Sequence, residues 1–424
     1  MHALAGTLMD LNWLGILILA AVLMLWNLDF VVTLLNLKAQ SPTPPEELAD
    51  VFDQERFAKS QAYTRASSRF GIIESVVSLF ILLAFWLAGG FGWLDQLSRS
   101  WFSNELLAGL AFLSVLYIGH LLLHLPLSIY STFVIEERFG FNKTTPKTFV
   151  VDQIKGLLLS AILGLPLAAG VLWIFGNVPQ AWLWAWLLFT AVQLFLMWLA
   201  PVVILPLFNK FEPMDDGPLR DAIERMAAKC EFPLTEISVM DGSKRSTKAN
   251  AYFTGFGKTK KIALYDTLIE EQTTDELVAV LAHEIGHFKC RHIIQRLAVS
   301  ILQSGALFFL LGLAVDRDGA FARLLFDAFG VETISAHVGL VLFGILFSPA
   351  SRLLGIFSNM WSRKHEFEAD AYAAKAMGDS GPLISALKKL SAKNLSNITP
   401  HPMRVFLDYS HPPILQRLNA LKSL

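Results

Sequence analysis

Long apolar runs alternate with short polar connections along this chain, and the alternation predicts helices that cross a membrane. One crossing needs about 20 predominantly apolar residues. Seven stretches qualify: 11–37, 70–94, 105–130, 156–176, 181–207, 296–315 and 335–358. The fourth and fifth are separated only by Gly176-Asn177-Val178-Pro179-Gln180, a short helical-hairpin connection. The first run has no basic flank before it and is too long for a cleaved signal peptide. After the fifth run the pattern changes. Asp216 to Cys230 is amphipathic, and Glu236 to Met240 alternates like a strand. Ala249–Phe253 and Lys261–Tyr265 suggest two more strands, joined by a turn containing Gly255 and Gly257. The expected fold is a mainly α membrane protein with seven transmembrane helices and a small α+β domain. The expected division is 1–208 with five spans, 209–293 as the α+β segment, 294–358 as the last two spans, and 359–424 as a C-terminal helical segment.

Composition agrees with a bilayer as the solvent. Hydrophobic residues make up 54% of the chain and charged ones only 17%, against about 25% charged in an ordinary soluble protein. A net charge of -1 argues against nucleic acid as a partner. The two cysteines, Cys230 and Cys290, cannot build a disulfide framework. Basic residues collect in alternate connections. Lys38, Arg56, Lys59, Arg65 and Arg69 follow the first run, and Arg138, Lys143, Lys147 and Lys155 follow the third. The intervening connections carry Arg99, then none, then Arg317 and Arg323. This asymmetry predicts an N-terminus outside and a C-terminus in the cytosol. Glu74, His120, His124 and Gln193 lie inside predicted spans. Such groups face either a water-filled cavity or a hydrogen-bonded helix contact, and the sequence leaves both open.

The chemistry concentrates at Leu281-Ala282-His283-Glu284-Ile285-Gly286-His287. Positions four apart share one helix face. His283 and His287 can therefore aim two imidazoles at one metal ion, with Glu284 beside them as a base for water. Chance alone places these three fixed residues in roughly one chain in fifty to a hundred of this length, so context has to support the motif. Thr273 and Glu276 form a capping box ahead of an apolar, helix-compatible run, predicting a helix from about Thr274 to Cys290. Gly286 inside that helix costs about 1 kcal/mol and suggests close approach by another backbone. A third ligand is needed. Glu366 and Asp370 are four apart and suit a carboxylate ligand with a carboxylate that orients a histidine. Glu368 falls on another face and is expected to be solvated; His365 competes as a ligand on chemistry alone. His292 and His401 are expected to be structural or surface residues.

Taken together, these motifs are similar to those of the CAAX prenyl protease type I family, integral-membrane zinc peptidases of the gluzincin class. The resemblance rests on His283–His287 with Glu366–Asp370. It extends to Glu136-Glu137-Arg138-Phe139-Gly140-Phe141-Asn142-Lys143, Asp241-Gly242-Ser243-Lys244-Arg245-Ser246, Asn250-Ala251-Tyr252-Phe253 and Ser410-His411-Pro412-Pro413. It implies one zinc ion per chain held by His283, His287 and Glu366, with Glu284 as catalytic base and Asp370 behind a ligand. It implies that Asn250, Ala251 and Tyr252 bind substrate by strand addition. Asn250 and His411 would assist at the scissile carbonyl. It also implies seven helices around a water-filled chamber. Lys248 departs from the pattern, where relatives often carry histidine.

The resemblance implies a zinc endopeptidase that removes the C-terminal tripeptide of isoprenylated CAAX proteins, with lipidated or membrane-associated peptides and the bilayer as partners. An HtpX-type quality-control protease that needs no prenyl group is the alternative. A transporter or scaffold with a structural metal is the reading from another class, and Glu284 argues against it. The short connection from Asp316 to Ile334 leans toward a bacterial inner membrane rather than the endoplasmic reticulum.

Overall fold

A computed structural model describes residues 11–254 and 260–424. The turn with Gly255 and Gly257 lies outside the described residues. Among the described residues, seven helices are long and apolar enough to cross a membrane. α1 spans Trp13–Lys38 and is capped by Asn12, whose side chain accepts the Gly15 N–H at 2.9 Å. α2, Gln54–Leu87, starts well before the apolar run expected from residue 70. Asp53 caps it by accepting the Arg56 N–H at 2.7 Å, and its first turns are polar. It stops short of residue 94 because Gly89 turns into the left-handed region at φ +71°. Gly90–Trp101 then forms a separate helix, α3.

α4, Glu105–Tyr130, continues through a π-helical turn to Glu136. α5, Pro146–Asn177, also begins before its apolar run, with Thr145 as cap and Pro146 in the first turn. α6 is Ala181–Phe208.

The α+β segment follows: β1 (Phe211–Pro213), α7 (Pro218–Lys229), β2 (Leu234–Met240), β3 (Ala251–Thr254), β4 (Lys260–Tyr265), α8 (Asp266–Glu271) and α9 (Thr274–Lys289). The sheet order is β1-β2-β4-β3, with β2 and β4 parallel and the two outer pairings antiparallel. β1 was not expected from the sequence; three residues are too few to show alternation. β3 is an edge strand, with Ala251 opposite Leu264.

α10 (His292–Ala314) and α11 (Ala320–Asp327) lead to α12 (Ala336–Met377). α12 differs most from expectation. The run expected to end at 358 is one 42-residue helix that carries Glu366 and Asp370 on its continuation. It ends where Gly378 adopts φ +77°. α13 (Gly381–Lys393), α14 (Pro402–Asp408) and α15 (Ile414–Lys422) complete the chain.

Two large apolar cores and a smaller cluster around Phe70, Phe139 and Phe141 form among the described residues. At one end of the bundle, Trp86 stacks on Phe329 at 4.3 Å and donates its indole N–H to the Ala328 carbonyl at 2.9 Å, among Phe91, Phe112 and Phe326. The other core joins the sheet to α7, α9, α13 and α15 through residues such as Ile237, Ile262, Leu264 and Leu281. Leu48, Phe52 and Phe57 also sit in it, so the first membrane connection folds into the α+β unit across the boundary expected at 208.

α9 and α12 meet most closely at Gly286. A Cβ there would lie 3.0 Å from both the Cα and the carbonyl oxygen of Ala369. The neighbour is backbone and cannot rotate away, so Gly286→Val should push the helices apart and cost about 1–3 kcal/mol. Thermal unfolding of purified protein in detergent checks this; an unchanged melting temperature would show that the contact is not limiting.

Candidate metal centre

Local sequence builds α9 firmly. Thr273 and Glu276 form the anticipated capping box, with the Thr273 N–H donating to Glu276 Oε2 at 2.7 Å. Such a cap contributes about 1 kcal/mol. Glu276 is buried and also receives Ser385 Oγ at 2.5 Å and Lys389 Nζ at 2.8 Å. Leu277, Val278, Leu281, Ala282 and Ile285 bury the opposite stripe. That leaves His283, Glu284 and His287 to face α12.

Three donor groups converge there. The Nε2 atoms of His283 and His287 are 3.2 Å apart. Glu366 Oε2 lies 3.5 Å from the first and Glu366 Oε1 lies 3.3 Å from the second. Ligands about 2.0–2.1 Å from a tetrahedral zinc ion lie about 3.3 Å from one another, so the triangle fits such an ion. Two imidazoles and a carboxylate are also the donor set of a catalytic site, which keeps a fourth position open. Burial pushes the Glu284 carboxyl above the ordinary carboxylate range, against the opposing pull of His283 and His287. Burial disfavours a charged His283 ring, but bonds to Asp370 and Glu366 outweigh it and raise the imidazole to about 9.

Each imidazole is held from behind. Asp370 Oδ1 accepts His283 Nδ1–H at 2.8 Å. Arg417, from α15, grips the same carboxylate with two bonds of 2.8 and 2.6 Å and lies 3.6 Å from Glu366. Sequence reasoning missed Arg417. Its only signal was a cation beside Leu418 on the buried face of an amphipathic helix.

Two expectations are corrected. Glu368 is half-exposed but not merely solvated: its Oε2 accepts from His292 Nε2 at 2.9 Å. His292 is only 1% exposed, and its Nδ1 lies 2.9 Å from Nδ1 of His287. His365 does not join the triangle. It lies flat against His292, with ring centroids 3.8 Å apart and planes 9° apart.

His411 comes to the centre from the turn before α15, with Nε2 3.5 Å from Glu366 Oε1 and a largely exposed ring. Asn250 is exposed at the head of β3, its side chain accepting the Ala251 N–H at 2.9 Å. Ala251 and Tyr252 follow on the open edge. Lys248 bonds Tyr63 at 2.9 Å and Glu136 at 2.8 Å, tying the strand's approach to α2 and α4. His401 caps α14, accepting the Met403 N–H. Within the spans, Gln193 bonds Ser300 at 3.0 Å and His124 lies 3.1 Å from Ser78, so both join neighbouring helices.

This site on these helices defines a multi-pass membrane metallopeptidase. A model described as "CAAX prenyl protease N-terminal, five membrane helices" matches residues 33–210, and the model "Peptidase family M48" matches residues 213–424. The chain belongs to peptidase family M48. It is 40% identical over 392 residues to a CAAX prenyl protease 1 homolog of Oryza sativa, covering 90% of each chain. Identity is 38% over 404 residues to CAAX prenyl protease 1 of Saccharomyces cerevisiae, covering 89% of this chain and 88% of that one. The crystal structure of S. mikatae Ste24p superposes with a TM-score of 0.88 at 36% identity, covering 97% of this chain and 99% of that one. These relatives favour the prenyl-protease reading over the quality-control alternative. Being eukaryotic, they give no support to a bacterial inner membrane.

Arg417 leads to a stability prediction. Arg417→Met leaves Asp370 charged and buried without its main partner, and should cost on the order of 3–5 kcal/mol. Arg417→Met combined with Asp370→Asn should recover part of that loss. Thermal unfolding reads both variants, and a double variant no better than the single would show that the pair does not set the cost.

Proposed function

We propose that this protein is a zinc endopeptidase that removes the C-terminal tripeptide from isoprenylated CAAX proteins at the membrane. The observation that carries the reading is the His283, His287 and Glu366 triangle with Glu284 on the same helix. Glu366 completes it from α12, which continues directly from a membrane span. When bound, zinc lowers the pKa of water to about 7 and polarises the scissile carbonyl. Glu284 takes the proton of the attacking water and returns it to the departing amine. Its raised carboxyl makes it a stronger base, and as a carboxyl it is still acidic enough to protonate the more basic departing amine. His411 and Asn250 donate hydrogen bonds to the oxygen that gains charge.

The substrate backbone pairs with β3, aligning its scissile bond with the centre, and Ala251 and Tyr252 supply the contacts. Open strand edges are usually blunted; this one is flanked by the catalytic residues instead. The spans enclose a water-filled chamber. In support, His120 and Tyr117 are exposed one turn apart within a span, and Tyr117 bonds Ser160 of α5 at 2.9 Å. An exposed imidazole is costly against lipid. The distribution of Lys and Arg supports a cytosolic active site.

Glu284→Gln should retain zinc and lower cleavage of a farnesylated CAAX peptide by about 10²–10⁴-fold. Chelation should abolish cleavage, and added zinc should restore it. The comparison that tests substrate class uses the same peptide with and without its farnesyl group. Cleavage requiring both lipid and Glu284 is the expected result; equal cleavage of the two peptides would overturn the prenyl specificity.

A further inference from the structure

We propose that His292 and Glu368 form a positioning relay that fixes the tautomer and the ring orientation of His287. This rests on the reading of His283, His287 and Glu366 as zinc ligands. α9 ends at Lys289, and Arg291 adopts φ +58°, a left-handed conformation uncommon for a residue with a side chain. That reversal starts α10 directly beneath the metal helix and returns His292 to His287. The chain of bonds then runs 2.9 Å from His287 Nδ1 to His292 Nδ1 and 2.9 Å from His292 Nε2 to Glu368 Oε2.

The direction of this chain follows from its end. A carboxylate only accepts, so a neutral His292 carries its one proton on Nε2 and presents a bare Nδ1. His287 must then donate from its own Nδ1, which leaves the lone pair of its Nε2 facing His283 and Glu366. Were the relay reversed, the proton would sit where the metal binds. The other oxygen of Glu368 faces Lys364 at 3.7 Å, so Oε2 is the one that meets His292. The buried His292 is held flat by His365 below it, and Trp361 packs on His365 at 4.8 Å. The two ligating histidines are thus oriented by different means: His283 by Asp370 directly, and His287 through an interposed imidazole.

His292, His365 and Glu368 also lie close enough to suggest a second metal site. The stacked rings argue against it. Nitrogen lone pairs lie in the ring plane, and two rings with planes 9° apart and centroids 3.8 Å apart do not direct them to a common point. Both nitrogens of His292 are also engaged in the relay.

The test measures zinc affinity of the full-length protein in detergent by competition with a chromophoric chelator, without substrate. Glu368→Ala and His292→Phe should each weaken zinc about tenfold or more. His292→Gln, whose side-chain carbonyl can accept the His287 Nδ1–H, should return affinity to within about threefold of the parent. Cobalt-loaded Glu368→Ala should show shifted visible bands, reporting a changed ligand field. The metal-free Glu368→Ala protein should melt as the parent does, because Glu368 is half-exposed. Affinities within about twofold of the parent in both Glu368→Ala and His292→Phe would overturn the relay. So would weakening that only follows a lower melting temperature of the metal-free protein. A parent that binds no stoichiometric zinc would sink the metallopeptidase reading itself, a distinguishable failure.

Discussion

The structure depends on one close contact, the crossing of α9 and α12 at Gly286 and Ala369. His283 and His287 lie on one side of that contact, and Glu366 and Asp370 on the other. The triangle of 3.2, 3.3 and 3.5 Å exists only while the two backbones remain this close. Small residues make the approach possible: Gly286 on α9 faces Ala369, with Ala373 and Ala374 further along α12. Around the crossing, the capping box, the Glu276 bonds to α13 and the apolar stripe of α9 fix the helix from three sides. The sheet completes the enclosure and offers the β3 edge.

The electrostatics of the centre call for a cation. Glu284, Glu366 and Asp370 share a small buried volume with a single guanidinium, Arg417. Without metal, the carboxylates draw a proton onto His283, whose imidazole is raised to about 9. At neutral pH that proton does part of the work of a divalent ion, and the stability it contributes fades as pH climbs through 9. Metal binding needs the neutral ring, so it displaces this proton. Arg417 lies nearer Asp370 than Glu366, at 2.6 against 3.6 Å. It therefore balances Asp370 more closely than Glu366.

Features with a short sequence period were legible in the chain. The seven apolar runs, the α9 motif with its cap and three of the four strands follow from spacing along a single element. So did Gly286, because a costly residue inside a helix needs a packing reason. What sequence missed depends on distant segments meeting. Arg417 lies 47 positions from Asp370, and nothing local marks their pairing. Glu368 looked solvated because helical phase describes which way a side chain leaves its own helix; it cannot show that His292 will arrive from another. The early starts of α2 and α5 were hidden because hydropathy finds the part of a helix that needs lipid. The polar turns of α2 are held by its cap and by Phe57 in the soluble core, and those of α5 by its cap and by the ion pair of Asp152 with Arg245.

The continuity of α12 explains how a water-dependent reaction can be performed on a substrate held by the bilayer. A separate soluble helix carrying Glu366 would move with its linker, and a ligand triangle tolerates displacements of only a few tenths of an ångström. As one 42-residue helix, unbroken through Pro349, the span and Glu366 belong to a single continuous element. α10 repeats the arrangement from the other side. It begins at His292, which touches His287, and then runs as the sixth span. Both walls of the centre are thereby anchored in membrane helices, and the sheet edge is tied to α2 and α4 through Lys248, Tyr63 and Glu136. The depth of the active centre relative to the bilayer is set by the same elements that hold its donors together. A lipid-anchored chain end can then approach the centre without leaving the membrane.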